Sequence, residues 1–331
     1  MTSSPDSSFQ AVLLIAFGGP QGMNDIRPFL GNVLRGRNVP TNRVEAVAKH
    51  YELFDGVSPI TELTQRQANG LGDRLTRKGL KLPVYVGMRN WNPYLKDTLL
   101  EMSKAGIRRA IGFIMAPHSS FSSCEQYRNN VNEARQSIIN SGEADVAVTY
   151  VPSWHAHSGF IRALANNIEV AILGLPNNLQ QASQIVFTAH SIPVSMANNC
   201  CYEDQLRESC SQVAQTLNHP NWSLVYQSRS GNPADPWLGP DVADHLRDQH
   251  ASGLKAAVLC PIGFVVDHIE VLYDLDLEAA GVCKKIGLPI VRAAAVNDEG
   301  NFLDMMTEVV ASTSNRYAHA TPLPLTSPSS K

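Results

Sequence analysis

Short, uninterrupted aliphatic runs that alternate with helix-length stretches constrain the fold of this chain most. "AVLLIAFGG" is followed by a helical stretch, "LPVYVGM" follows "DRLTRKGL", and "RAIGFIMAP" follows "YLKDTLLEMSKAG". "ADVAVTYV" then follows "NNVNEARQSIINSG". Runs apolar at every position, joined by crossover helices, are the mark of parallel β-sheet covered on both faces. The second half repeats the plan, with "ASQIVFTAH", "SLVYQS", "AAVLCPIGF" and "LPIVRAA" at helix-sized intervals. Each strand ends in small or polar residues, where ligands collect in open α/β sheets. The expected architecture is therefore two α/β units meeting near residues 165–185, with a cleft between their strand ends as the default site. One long sheet in a single domain is the alternative. At 331 residues the chain is long enough for either arrangement.

Composition narrows the function. A net charge of −3 with no basic block argues against binding a nucleic-acid backbone, which requires concentrated positive charge. A small anionic substrate stays open, because a few cleft arginines suffice. No apolar run reaches membrane-spanning length, and "MTSSPDSSFQ" lacks the basic start and apolar core of a signal peptide. A cytoplasmic protein is expected, with peripheral membrane contact not excluded. The serine-rich start and "PLPLTSPSSK" read as loose tails. "AFGGPQG" clusters glycines without a dinucleotide or P-loop fingerprint.

"DHIEVLYDLDLEAA" (267–280) reads as an amphipathic α-helix, with Asp267 placed to cap its first turn. Ile269, Val271, Leu272 and Leu275 form the apolar side, while Glu270, Asp274 and Glu278 recur every four residues. Like charges so spaced repel one another. Either the face is merely solvated, or the carboxylates handle cations or protons. Three oxygen donors about 6 Å apart per turn could pass a hydrated cation along without caging it. His190 ends the run "ASQIVFTAH" and can take a proton or bind a borderline metal near neutral pH. "MAPHSSFSSCEQYRNN" places His118, Cys124, Tyr127 and Arg128 after another strand end. "YQSRSGNPADPWLGPDV" is stiffened by proline and carries Arg229 and Trp237. "HYELFDGVSPITELTQRQ" offers Ser58, exposed enough to donate a hydrogen bond, and Gln67 on the following helix.

Together, "FGGP", "HYELFDGVSPITELT", "MAPHSS", "FTAHSIP", "QSRSGNPADPWLGPDV" and "GFVVDHIEVLYDLDLEA" resemble the ferrochelatase family in content and order, over about residues 11–315. The resemblance implies two similar Rossmann-like domains, each with a parallel sheet flanked by helices, and insertion of ferrous iron into a porphyrin in the cleft between them. The expected limits are tails at 1–9 and 318–331, an N-terminal domain at 10–175 and a C-terminal domain at 176–317. The last helix is expected to pack back on the first domain. His190 matches the active-site histidine and Glu270 its paired glutamate, both in contact with the Fe2+ substrate. Asp274 and Glu278 match the acidic ladder for metal delivery or proton transfer. Ser58, Tyr127, Phe17, Gln67 and His118 match positions that meet the macrocycle, with Arg35, Arg37 and Arg43 as further anchors. Phe17 stands where another bacterial subgroup has a tyrosine, so no axial oxygen is expected from it.

"GNVLRGRNVPTNRVEAVAKHYELF" is similar to bacterial ferrochelatases that act on coproporphyrin III, whose four propionates need more polar partners than the two of protoporphyrin IX. Some members hold a 2Fe-2S cluster, often through C-terminal thiolates that are absent from this tail. A variant on Cys124, Cys200, Cys201 and Cys210 has the right number of ligands. Cys260 and Cys283 read as core residues. The resemblance further implies a tetrapyrrole partner and transient contact with neighbouring haem-pathway enzymes. The rival readings are a cobalt or nickel chelatase for another tetrapyrrole, and a haem or iron carrier that does not turn over.

Overall fold

The computed structural model describes residues 8–36, 39–120, 125–230, 235–321 and 325. Among the described residues, eight strands form two four-stranded sheets: β1 (Ala11–Ala16), β2 (Val84–Met88), β3 (Arg109–Ile114) and β4 (Ala147–Tyr150), then β5 (Gln184–His190), β6 (Trp222–Gln227), β7 (Ala257–Cys260) and β8 (Ile290–Arg292). The orders are β2-β1-β3-β4 and β6-β5-β7-β8, so the second sheet repeats the topology of the first. Every strand pairing is parallel. The aliphatic runs explain why. Central strands β1, β3 and β7 are buried at every position, as crossover helices on both faces require, while edge strands β4 and β8 are only half-buried.

The chain divides into two compact units. One comprises the described residues within Met1–Met115, Ser122–Pro152 and Leu303–Lys331, and the other those within Ala116–Phe121 and Ser153–Phe302. Helix Ser158–Ile172 therefore travels with the second sheet, whose strands β7 and β8 it contacts. Helix Gly300–Tyr317 enters the first unit from Leu303 onward, and there Arg74 Nε meets Asp304 Oδ1 at 2.6 Å.

In the second unit, the segment from Ile269 to Ile286 packs against β5, β6 and β7. Val271, Leu275, Ala279 and Cys283 join Val186, Val225 and Leu259 in one buried cluster. Burying a side chain such as Leu275 contributes ~2 kcal/mol, more than the ~0–1 kcal/mol of an exposed ion pair. The apolar face therefore holds the segment to the sheet. Its register departs from the expected α-helix. Ile269–Val271 is α, Leu272–Ala279 is π, and α geometry resumes over Ala280–Ile286 until Gly287 ends it in the left-handed region.

Candidate active site

His190 is the last residue of β5 and the one position of that strand that is not fully buried. Its Nδ1 lies 2.5 Å from the Ser191 carbonyl oxygen. A carbonyl only accepts, so Nδ1 carries the hydrogen, which leaves Nε2 as the ring nitrogen that can take or release a proton. The surrounding turn is braced. The Tyr202 hydroxyl donates to the His190 carbonyl at 3.0 Å, and Ser191 Oγ donates to the Leu238 carbonyl at 2.7 Å. The proline-stiffened stretch supplies this brace, since Leu238 N also donates to Ile192 O and Trp237 bridges Pro193.

Glu270 lies in the first turn of the helical segment, with Oε2 3.6 Å from His268 Nε2. Burial pushes its carboxyl up, but the hydrogen bond from His268 and the charges of His190 and His268 outweigh that and hold it down at about 2. It is a permanent carboxylate at neutral pH. Asp274 behaves in the opposite way. Burial, helped by the charges of Glu270 and Glu278, pushes it up to about 7 against hydrogen bonds from Ser228 and Gln227. Gln227 Nε2 donates to Asp274 Oδ2 at 3.1 Å, and Ser228 Oγ donates to the same oxygen. Ser228 holds φ at 59°, the left-handed region, to present that hydroxyl. Glu278 is raised by burial and by Asp241, and it accepts a hydrogen bond from Tyr273. That bond joins residues five apart, the spacing a π-helix closes. The acids pass from half-buried Glu270 and Asp274 to exposed Glu278.

One expectation about this segment changes. Asp267 does not cap the helix. His268 is the N-cap residue and makes no side-chain capping bond, and Asp267 is instead held by Arg292 at 2.8 Å and Asn297 Nδ2 at 2.8 Å. His268 was not singled out in the sequence, although it stands two residues before Glu270. Its ring packs on Phe264 with centroids 5.0 Å apart.

The residues expected to meet the macrocycle are placed as follows. Ser58 is 4% exposed, so it is buried rather than open, and its backbone N donates to Pro20 O at 2.9 Å. Gly19 leaves room for it, because a Cβ there would lie 2.6 Å from that of Ser58. Gln67 and Tyr127 are buried on helices Ile60–Arg77 and Gln126–Asn140, and the Phe17 ring meets Phe29 edge-on at 6.3 Å. Arg35 donates to Asn32 Oδ1 at 2.7 Å, and Arg37 lies outside the described residues. His118 is a buried core histidine. Its Nε2 is 3.0 Å from Ser209 Oγ, its ring packs by Phe160 and Tyr202, and burial with His155 pushes it down to about 3.

The described residues show no cluster site among the cysteines. Cys124 lies outside the described residues. Cys201 precedes helix Tyr202–Thr216, and Cys210 follows about 13 Å further along its axis. Burial raises the Cys210 thiol well above its ordinary value. Cys200 Sγ donates to Ala197 O at 3.7 Å. Cys260 and Cys283 are buried core residues. Among the described residues, no three His, Cys, Asp or Glu side chains gather as a metal cage, and no helix is long and apolar enough to cross a membrane.

Two parallel four-stranded sheets with a histidine at one strand end and acids on an adjoining helical segment define an α/β protein with a two-unit parallel-sheet fold. Solved structures share the fold. SirB from Bacillus subtilis with Fe3+ aligns with a TM-score of 0.57 at 8% identity, covering 95% of this chain and all (100%) of that one. The sirohydrochlorin chelatase SirB from Bacillus subtilis subspecies spizizenii in complex with cobalt gives 0.54 at 7% identity, covering 93% and 96%. The family model for ferrochelatase matches residues 9–314, and the chain belongs to the ferrochelatase family. A ferrochelatase of Rhodopirellula baltica is 45% identical over 303 residues, covering 91% of this chain and 85% of that protein. A coproporphyrin III ferrochelatase of Mycolicibacterium vanbaalenii is 40% identical over 306 residues, covering 92% and 89%.

Proposed function

We propose that this chain inserts ferrous iron into coproporphyrin III, forming iron coproporphyrin III and releasing two protons. The Fe2+ is substrate, not a resident ion. An open line of acids suits that exchange, because the metal must leave protein oxygens for four pyrrole nitrogens. The observation that carries the reading is the line of carboxylates Glu270, Asp274 and Glu278 along one helical segment, with Glu270 near enough to His190 at the end of β5 to feel its charge. Glu270, held at about 2, is too weak a base to keep a pyrrole proton at neutral pH, so it serves as a fixed negative charge for iron or for the imidazolium of His190. His190, with Nδ1–H committed to Ser191 O, accepts the pyrrole proton at Nε2. Asp274, near 7, matches a proton relay, with Glu278 at the exposed end of the line. Phe17, Ser58, Gln67 and Tyr127 are the macrocycle residues of this proposal, supported by the family motifs.

Coproporphyrin III is favoured by relatives of that specificity at about 40% identity, among them the Mycolicibacterium vanbaalenii enzyme. A cytoplasmic location, any peripheral membrane contact and transient contact with neighbouring haem-pathway enzymes belong to the same proposal and rest on the family alone. Anaerobic Fe2+ insertion followed by absorbance, with coproporphyrin III and protoporphyrin IX under matched conditions, tests the reading. Faster turnover of coproporphyrin III is expected. Equal or faster turnover of protoporphyrin IX overturns the substrate assignment, and stoichiometric binding without turnover overturns the enzyme.

A further inference from the structure

We infer that Arg292 is a positioning residue for metal insertion. It grips Asp267 just ahead of the π-helix and Asp276 within it, and so sets where Glu270 and Asp274 stand. The inference rests on the iron-insertion reading above.

Arg292 is the last residue of β8, and its side chain is 18% exposed. Its Nε donates to Asp276 Oδ1 at 2.6 Å and its Nη2 to Asp276 Oδ2 at 3.0 Å, a two-pronged pair that fixes direction as well as distance. Its Nη1 donates to Asp267 Oδ1 at 2.8 Å. Asp267 is further tied to the loop after β8. Its Oδ1 accepts from Ala295 N at 3.2 Å, its Oδ2 from Asn297 Nδ2 at 2.8 Å, and its own N donates to Asn297 Oδ1 at 2.9 Å. Asn297 holds φ at 44°, the left-handed region that asparagine tolerates better than most residues. Glu270 and Asp274 thus lie in the chain between two anchors that share one guanidinium.

The pair to Asp276 responds to helix register. An α-helix turns 100° per residue and a π-helix about 82°, because its hydrogen bonds close on the fifth residue. Relaxing Leu272–Asp276 to α would swing Asp276 by about 70° around the axis and off the planar fork, and Asp274 by about half as much. The apolar contacts of Leu275 and Ala279 hold the segment to the sheet but are less directional. The Arg292–Asp276 pair therefore selects the register that aligns the acids.

The test is steady-state insertion with Fe2+ and coproporphyrin III varied separately, beside porphyrin binding by fluorescence and thermal melting, for R292M, R292K, D276N and the R292M/D276N double variant. Arg292→Met and Asp276→Asn are each expected to lower kcat/KM for Fe2+ about tenfold while porphyrin binding stays within about twofold. The double variant should be no worse than R292M, because both remove one coupling. Lysine, which keeps the charge without the fork, should recover only part of the loss. A merely structural Arg292 would lower the melting temperature and leave the Fe2+ kinetics of the folded fraction unchanged, and that result overturns the inference. Additive losses in the double variant overturn it as well. Asp276 is exposed, so D276N decides the matter if R292M does not fold. Wild-type protein that inserts no iron defeats the underlying reading and this inference together. Active wild type with unshifted variants defeats the inference alone.

Discussion

Replacing Ser228 with alanine removes a hydroxyl that donates to Asp274 Oδ2. Asp274 stands at about 7 because burial and the neighbouring acids raise it while Ser228 and Gln227 oppose them. At pH 7 about half of it is therefore ionised. A hydrogen bond to a charged group contributes ~1.5–3 kcal/mol, and the lower end suits a half-buried carboxyl that keeps Gln227. That is equivalent to about one pH unit, so the variant's Asp274 should titrate near about 8. The ionised fraction at pH 7 then falls from about one half to about one tenth, and kcat/KM for Fe2+ falls about fivefold. At pH 6 the deficit grows to about tenfold, and by pH 9 it nearly vanishes because Asp274 is charged in both proteins. The acid limb of the profile thus moves upward. Ser228→Gly, which suits the left-handed backbone, should give the same profile and separates loss of the hydroxyl from backbone strain. A deficit of equal size at every pH would refute the role given to Asp274.

Two further outcomes follow from the same site. His190→Ala should abolish insertion while coproporphyrin III still binds, measured by fluorescence quenching; retained turnover would remove His190 from the proton step. Asp274→Asn should stabilise the protein at pH 8 by ~2–4 kcal/mol and leave it nearly unchanged at pH 4, measured by denaturant unfolding. The sign follows from a carboxyl raised above its ordinary 3.8, so that the folded state binds the extra proton between about 4 and 7. Stability from that group is present at low pH and lost as pH rises through 7.

Much of this was legible in the residues. Runs such as "AVLLIA" and "IVF" are apolar because helices cover both faces of the sheet, and in β5 full burial ends only at His190, where the strand leaves the core. The carboxylate spacing marked the acidic line. It could not reveal the π register, since a four-residue repeat stays near one face in either helix type. What separates them is tertiary. The Tyr273–Glu278 bond closes across five residues in the folded segment, and the grip of Arg292, 16 residues beyond Asp276, exists only once β8 is paired. Asp267 looked like a cap because local pattern favours that role, yet Arg292 and Asn297 offer it stronger partners. Ser58 in a Gly–Pro turn looked exposed, but close approach at Gly19 buries it.

The central claim is that Glu270 and His190 exchange iron for pyrrole protons, and single-turnover insertion tests it most directly. Protein loaded with coproporphyrin III is mixed anaerobically with Fe2+, comparing wild type with Glu270→Gln. The variant should bind porphyrin normally and insert iron at least about a hundredfold more slowly, as loss of a positioned charge in a proton-transfer site implies. Equal single-turnover rates would contradict the account.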